Sequence, residues 1–270
     1  MPKVTIIITT KNSAKTLEPL LSSLKKQTYT DFETLVVDNN STDATKEISN
    51  KYKASFYTKG PERSVQRNFG ASKAKGKYLF FLDSDMTLSE TVIADCVKKI
   101  SLSNTIGGVI VPEKSFGNNF WAKAKAFERE INEGEAYFEA ARFFPTTVFE
   151  EFKGYQPDIT GPEDWDLPKR ISKKYQIKRI SSYIFHNEGS PTPLKLMKRK
   201  YYYGLTAHIY LQKNNLPTFS SQTVYLLRPA FYRQWRKLLS KPVLTLGMIV
   251  LLLFETLGGG VGYIRGRFSI

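Results

Sequence analysis

An α/β fold on a mainly parallel, doubly wound sheet is predicted by two observations over residues 1 to about 110. Short β-branched or aromatic runs alternate with amphipathic stretches of helical period. Alternation at this spacing predicts parallel strands joined by helical crossovers. Polar and charged residues gather just after each run, where ligands bind in such sheets.

The elements follow in order. Val4 to Ile8 is the first strand, and Leu17, Leu20, Leu21 and Leu24 recur at helical spacing behind it. Phe32 to Val37 precedes a helix near Thr45 to Tyr52, and Ala54 to Tyr57 precedes one near Ser64 to Ala74. Tyr78 to Leu82 precedes a helix near Ser89 to Ile100. Beyond 110 the pattern loosens: Phe120 to Glu133 reads as helix, and Phe143 to Tyr155 is aromatic and irregular. Gly161-Pro162-Glu163-Asp164-Trp165-Asp166-Leu167 opens a helix that turns Leu167 and Ile171 inward, and Ile177 to Ile184 is a candidate return to the sheet. After Ser190 the chain becomes basic and aromatic, so a catalytic domain is expected over 1–190 and a helical extension over 191–270.

Composition narrows the function. At 270 residues and 41% apolar content the chain can bury a substantial core. Cys96 is the only cysteine and there are two histidines, which excludes a disulfide framework and a self-contained structural zinc site. A reducing, cytosolic setting fits best, and Val4 to Ile8 is too short for a signal peptide. The 40 Lys+Arg against 25 Asp+Glu, a formal +15, call for an anionic partner: nucleic acid, anionic lipid or a phosphorylated substrate.

Four loops carry the candidate chemistry: Thr9-Thr10-Lys11-Asn12, Asp38 to Asp43, Glu62-Arg63, and Asp83-Ser84-Asp85. Two carboxylates one residue apart at a strand end are suited to a hard divalent cation against a diphosphate, Mg²⁺ or Mn²⁺. Asp38 can accept hydrogen bonds from a base or ribose, whereas Ser41 and Asp43 fit helix capping. Arg63 and Arg67, four apart on one helical face, can neutralise a diphosphate, and Asn68 follows directly. Glu163, Asp164 and Asp166 complement a helix N-terminus or supply a general base. His186 follows the last expected strand as a candidate metal or phosphate ligand. Gly70 to Lys77 fails as a P-loop in spacing and lacks the hydroxyl after Lys77.

Taken in order, Ile7 to Asn12, Val37 to Asp43, Arg67-Asn68-Phe69-Gly70, Phe81 to Asp85 and Glu163 to Leu167 resemble the motif series of family 2 glycosyltransferases, over residues 3 to about 190. The resemblance implies a GT-A fold and inverting transfer of a sugar from a nucleotide diphosphate. It implies that Asp38 contacts the base, Asp83 the ribose or metal, and Asp85 the cation bridging the phosphates. Asp164 becomes the foremost base, with Glu163 and Asp166 shaping the site. The expected nucleotide-sugar surface is Thr9, Thr10, Asn12, Asp38, Arg63, Arg67, Asn68, Asp83 and Ser84, and the expected metal ligands are Asp85, Asp83 and His186. Thr10-Lys11-Asn12 and Asn39-Asn40 depart from the family's commoner Thr-Tyr-Asn and Asp-Gly, which leaves UDP or GDP open.

Val243 to Ile264 is long enough to cross a hydrocarbon core, yet Glu255 and Gly258-Gly259-Gly260 argue against a clean crossing. Basic residues are denser before it than after it, which would keep the catalytic domain cytosolic if it inserts. With Lys195 to Tyr203 it forms a basic, aromatic platform for anionic lipid. The sequence therefore predicts a metal-dependent hexosyltransferase at the cytoplasmic face of a membrane, peripheral or held by one anchoring segment. Its expected partners are a UDP- or GDP-sugar and a lipid-linked or glycolipid acceptor, and not nucleic acid. A nucleotidyltransferase and a non-catalytic basic module for nucleic acid or anionic membrane are the alternatives.

Overall fold

The computed structural model describes residues 3–135, 138–220 and 223–268. The first half alternates as expected: β1 (Val4–Thr10), α1 (Ala14–Lys25), β2 (Phe32–Asp38), α2 (Thr45–Lys51), β3 (Ser55–Thr58), α3 (Arg63–Lys73) and β4 (Tyr78–Asp83). Next come β5 (Met86–Leu88), α4 (Val92–Ile100), β6 (Ile106–Ile110), β7 (Glu113–Phe116) and α5 (Phe120–Ile131). β8 (Ala141–Pro145), α6 (Thr146–Glu151), α7 (Glu163–Ile171), β9 (Gln176–Arg179) and β10 (Ile184–Asn187) follow. The remainder is helical: α8 (Pro193–Lys213), a 3₁₀ turn at Tyr225–Leu227, α9 (Pro229–Arg233), α10 (Trp235–Ser240) and α11 (Pro242–Phe268).

The chain forms two compact units, each discontinuous in sequence. The first takes the residues up to Pro112, Ala140–Pro157 and Glu163–His186. It holds a seven-stranded sheet in the order β3-β2-β1-β4-β8-β6-β9. β1 runs parallel to β2 and β4, β2 to β3, and β6 to β9, whereas β8 is antiparallel to both of its neighbours. Alternate residues enter two cores on opposite faces: Ile6, Ile8, Phe80 and Leu82 meet the leucines of α1, while Ile7, Val37, Leu79 and Phe81 meet Phe144, Phe149 and Leu167. The strand ends are level, with Thr10 beside Asp38, Asp38 beside Thr58, and Thr9 beside Asp83.

Two local expectations are revised. The stretch from Phe143 to Tyr155 is ordered, because Phe143 and Phe144 alternate between the two cores as part of β8 and α6 follows at once. The expected return strand over Ile177 to Ile184 is split, since β9 ends at Arg179 in the large sheet and β10 pairs antiparallel with β5. The apolar segment from Val243 lies in one helix of 27 residues that runs through Glu255 and the glycines.

The second unit takes Glu113–Glu139, Asp158–Pro162 and the chain from Asn187. α8 begins with Pro193 at its first turn, and the Thr192 side chain accepts from the Lys195 amide. Phe127 and Ile131 of α5 pack with Ala230, Phe231, Met248 and Leu252. Glu255 is buried against α5, where both of its oxygens accept from Lys125 Nζ at 2.9 Å. Among the described residues α11 is the one helix long and apolar enough to cross a membrane.

Candidate active site

The polar loops at the carboxyl ends of β1, β2 and β4 form one rim because the strands end level. Asp38 is buried there, with Oδ1 accepting from Thr10 Oγ1 (2.7 Å) and Ser41 Oγ (2.5 Å), and Oδ2 from the Ser41 amide (2.7 Å). Asn12 sits in the left-handed region at φ 50°; its amide donates to Ser41 Oγ and its Oδ1 accepts from the Thr42 amide. Asp43 accepts from the Ala14 amide (3.0 Å) at the start of α1 and from the Thr45 amide (3.1 Å), which is capping of two helices. Ser84 Oγ donates to Ser13 Oγ (2.9 Å), and Thr9 Oγ1 reaches Asp83 Oδ1 at 3.4 Å. Gln66, which sequence reasoning missed, donates to the carbonyls of Thr10 and Val37 and so ties the ends of β1 and β2 together.

Arg67 organises the rest. Its side chain is fully buried, its plane lies over the Tyr155 ring, and it bridges Asp83 Oδ1 (Nη2, 2.9 Å) and Asp164 Oδ1 (Nη1, 2.5 Å). Arg142 of β8 stands 3.4 Å from Asp83 Oδ2 and was not foreseen, although a lone cation in the apolar run Ala141 to Phe144 was the signal available. Burial opposes ionisation of Asp83, but Arg67, Arg142, Arg63 and His186 overcome it and hold its carboxyl well below the usual range. Burial likewise disfavours the Arg67 cation, and Asp164 and Asp83 reverse this and raise it well above its ordinary value.

The acidic helix divides its carboxylates among different neighbours. Asp164 points to Arg67, and Glu163, almost fully buried, has Arg63 Nη2 2.8 Å from Oε1. Burial raises the Glu163 carboxyl above its ordinary value; Arg63 opposes this and Asp164 adds to it. Asp166 pairs with Arg170, which also donates to the carbonyls of Phe152 and Gly154. Asn68 spends its amide on the Tyr155 backbone, donating to the carbonyl (2.7 Å) and accepting from the N–H (2.9 Å). Asp166 and Asn68 thus brace loops, while Arg67, Asp83, Asp164 and Glu163 come together. A cleft of about 330 Å³ lined by Asn68, Ala71, Phe149 and Lys153 contains none of these four.

Antiparallel pairing of β5 with β10 sets His186 opposite Met86, and so brings its Nε2 to 3.3 Å from Asp85 Oδ2. Asp85 Oδ1 is buried and accepts no hydrogen bond. A carboxylate oxygen without a donor beside an imidazole nitrogen fits a divalent cation such as Mn²⁺. No group of three His, Cys, Asp or Glu able to hold a metal occurs among the described residues. Asp83, expected to share the metal, instead faces Arg67 and Arg142.

The mainly parallel sheet flanked by helices, with its polar rim at the strand ends, is that of the GT-A fold. The chain belongs to the family described as Glycosyl transferase family 2, which matches residues 5–159. It is 36% identical over 150 residues to the poly(ribitol-phosphate) beta-N-acetylglucosaminyltransferase TarP of Staphylococcus aureus, covering 48% of this chain and 46% of TarP. It is 26% identical over 145 residues to the GalNAc(5)-diNAcBac-PP-undecaprenol beta-1,3-glucosyltransferase of Campylobacter jejuni, covering 49% and 46%. The matches therefore span less than half the length of these curated relatives. The solved mannosyltransferase PcManGT of Pyrobaculum calidifontis, in complex with GDP-Man and Mn²⁺, shares the fold at 17% identity and a TM-score of 0.68, over 99% of this chain and 88% of that one.

Proposed function

We propose that this chain transfers a sugar, with inversion, from a UDP- or GDP-sugar to a hydroxyl of a lipid-linked or glycolipid acceptor at a membrane surface. The observation that carries this reading is the grip of buried Arg67 on both Asp83 and Asp164, at 2.9 and 2.5 Å, which makes the nucleotide rim and the acidic helix a single site. The undecaprenol-linked substrate in the name of the Campylobacter relative supports the acceptor class, and the GDP-Man and Mn²⁺ bound by PcManGT support the donor class.

Asp164 takes the proton of the acceptor hydroxyl as its oxygen attacks the anomeric carbon. The bond from that carbon to the diphosphate breaks in the same displacement, and the nucleoside diphosphate leaves with the electron pair. Arg67 orients the Asp164 carboxylate, and Arg63 and Arg142 add positive charge near the rim. A divalent cation held by Asp85 and His186 would neutralise charge on the leaving diphosphate. The rim hydroxyls and Asp38 hold the nucleoside.

The test is sugar transfer from UDP- and GDP-sugars with and without Mn²⁺. Asp164→Asn is expected to lower kcat about 10²- to 10⁴-fold with little change in donor affinity. Asp85→Ala is expected to abolish the stimulation of transfer by Mn²⁺. Undiminished transfer by both variants overturns the assignment.

A further inference from the structure

The two sides of α11 differ. On one side Gly258, Gly262 and Gly266 meet the α8 backbone so closely that a Cβ on each would collide with the carbonyl oxygens of Met197, Tyr201 and Leu205 in turn. The constant spacing means that α8 and α11 run side by side in the same direction. Glu255, on the same inward side, is buried on Lys125, which also pairs with Glu128 (2.6 Å). On the other side Leu246, Leu253, Leu257, Val261 and Ile264 form an apolar stripe, each residue 45% to 64% exposed.

The helix register decides how a bilayer can meet that stripe. A crossing α11 would place Glu255 near mid-membrane, and Gly259 to Val261 only about 6–9 Å away along the axis, well inside a hydrocarbon core about 30 Å thick. Lys198 and Arg199 of α8, both exposed, sit at that level. A crossing would carry them, and the Lys125 cluster, into hydrocarbon, where charged side chains are costly. Lying in the plane of the surface, the stripe is covered while the charges stay outside. Residues 191–270 hold twelve lysines and arginines against one glutamate, Glu255, which is already paired, so the matching surface is anionic.

We propose that α11 lies in the plane of an anionic lipid bilayer, its Leu246-to-Ile264 stripe at the boundary of headgroups and acyl chains, and does not cross. This rests on the membrane association proposed above, and the two can fail separately. The test uses the full chain with phosphatidylcholine vesicles with and without phosphatidylglycerol. Binding is expected to the anionic vesicles, and to weaken at least about tenfold in the double variant Leu253→Glu/Leu257→Glu with unchanged thermal unfolding.

Cys96 is buried, so single labels at Leu246→Cys, Leu253→Cys, Leu257→Cys and Ile264→Cys report depth through spin-labelled lipids. Equal, shallow quenching at all four supports the in-plane helix. Deep quenching confined to 253 and 257, with the ends in opposite leaflets, overturns it while leaving membrane association intact. Absence of vesicle binding by the parent chain overturns both. A lipid-free dimer that the double variant dissolves assigns the stripe to a second copy and also overturns the proposal.

Discussion

Arg67 in the sheet unit and Lys125 in the helical unit are both buried cations held between carboxylates, yet they differ in what they leave open. The partners of Arg67 keep a way out to solvent, with Asp83 18% and Asp164 21% exposed. The partners of Lys125 do not, since Glu128 and Glu255 are 2% and 1% exposed, and Arg228 closes the cluster by pairing with Glu128 at 2.7 Å. Burial opposes the Lys125 cation, and Glu128 and Glu255 reverse this; burial likewise opposes ionisation of Glu128, and Lys125 with Arg228 overcomes it and brings it down to about 2. A planar guanidinium also fixes two carboxylates at a set angle, whereas an ammonium acts as a point donor. The open cluster can present groups to a ligand, and the closed one can only join α5 to α11. A buried ion pair marks a candidate site when its partners keep an exit.

The comparison breaks first at Lys125. Lys125→Met leaves buried Glu255 uncompensated and Glu128 with Arg228 alone, and is expected to cost about 3–5 kcal/mol of unfolding free energy. Denaturant melts measure this, and kcat of the folded enzyme below the transition should match the parent. A loss of kcat in the fully folded variant would remove the distinction between the clusters.

Arg67→Lys is the next test and acts in the opposite sense. Charge is retained but the fork is lost, so Asp83 and Asp164 can no longer both be held in place. A stability loss of about 1–3 kcal/mol is expected, with kcat falling about tenfold and KM for the donor moving less. A purely structural Arg67 would lower the melting temperature and leave the split between kcat and KM unchanged.

These clusters show where sequence reading succeeds and where it stops. β1 and β4 are legible because strands buried on both faces read as near-continuous apolar runs, β2 by its Leu35-Val36-Val37 end, and their level ends bring Thr10, Asp38 and Asp83 to one rim. β8 is hidden because an antiparallel strand inserted among parallel ones follows no crossover rhythm. Arg67 reads as a phosphate ligand on a helix face, since its partner Asp164 lies 97 residues away and only packing joins them. His186 is a lone histidine until β10 pairs with β5 and sets it beside Asp85. Glu255 reads as an interruption of an apolar segment because Lys125 is 130 residues distant.

Acid titration separates the two clusters with the smallest effect of the three. Burial raises Glu163 above its ordinary value, against Arg63 and with Asp164. Between the ordinary and raised values the folded chain holds a proton that the unfolded chain has lost, so this group's contribution falls as pH rises through that window. Glu128 is depressed to about 2, so its contribution is full above the ordinary carboxylate range and is lost as pH falls toward 2. Glu163→Gln removes the first dependence and leaves the second. Urea melts from about pH 4 to pH 7 should show the variant gaining stability over the parent as pH rises. A difference that stays flat or shrinks with rising pH would mean that Glu163 is held as an ion by Arg63, and that the carboxylates of the open cluster are as fully compensated as those around Lys125.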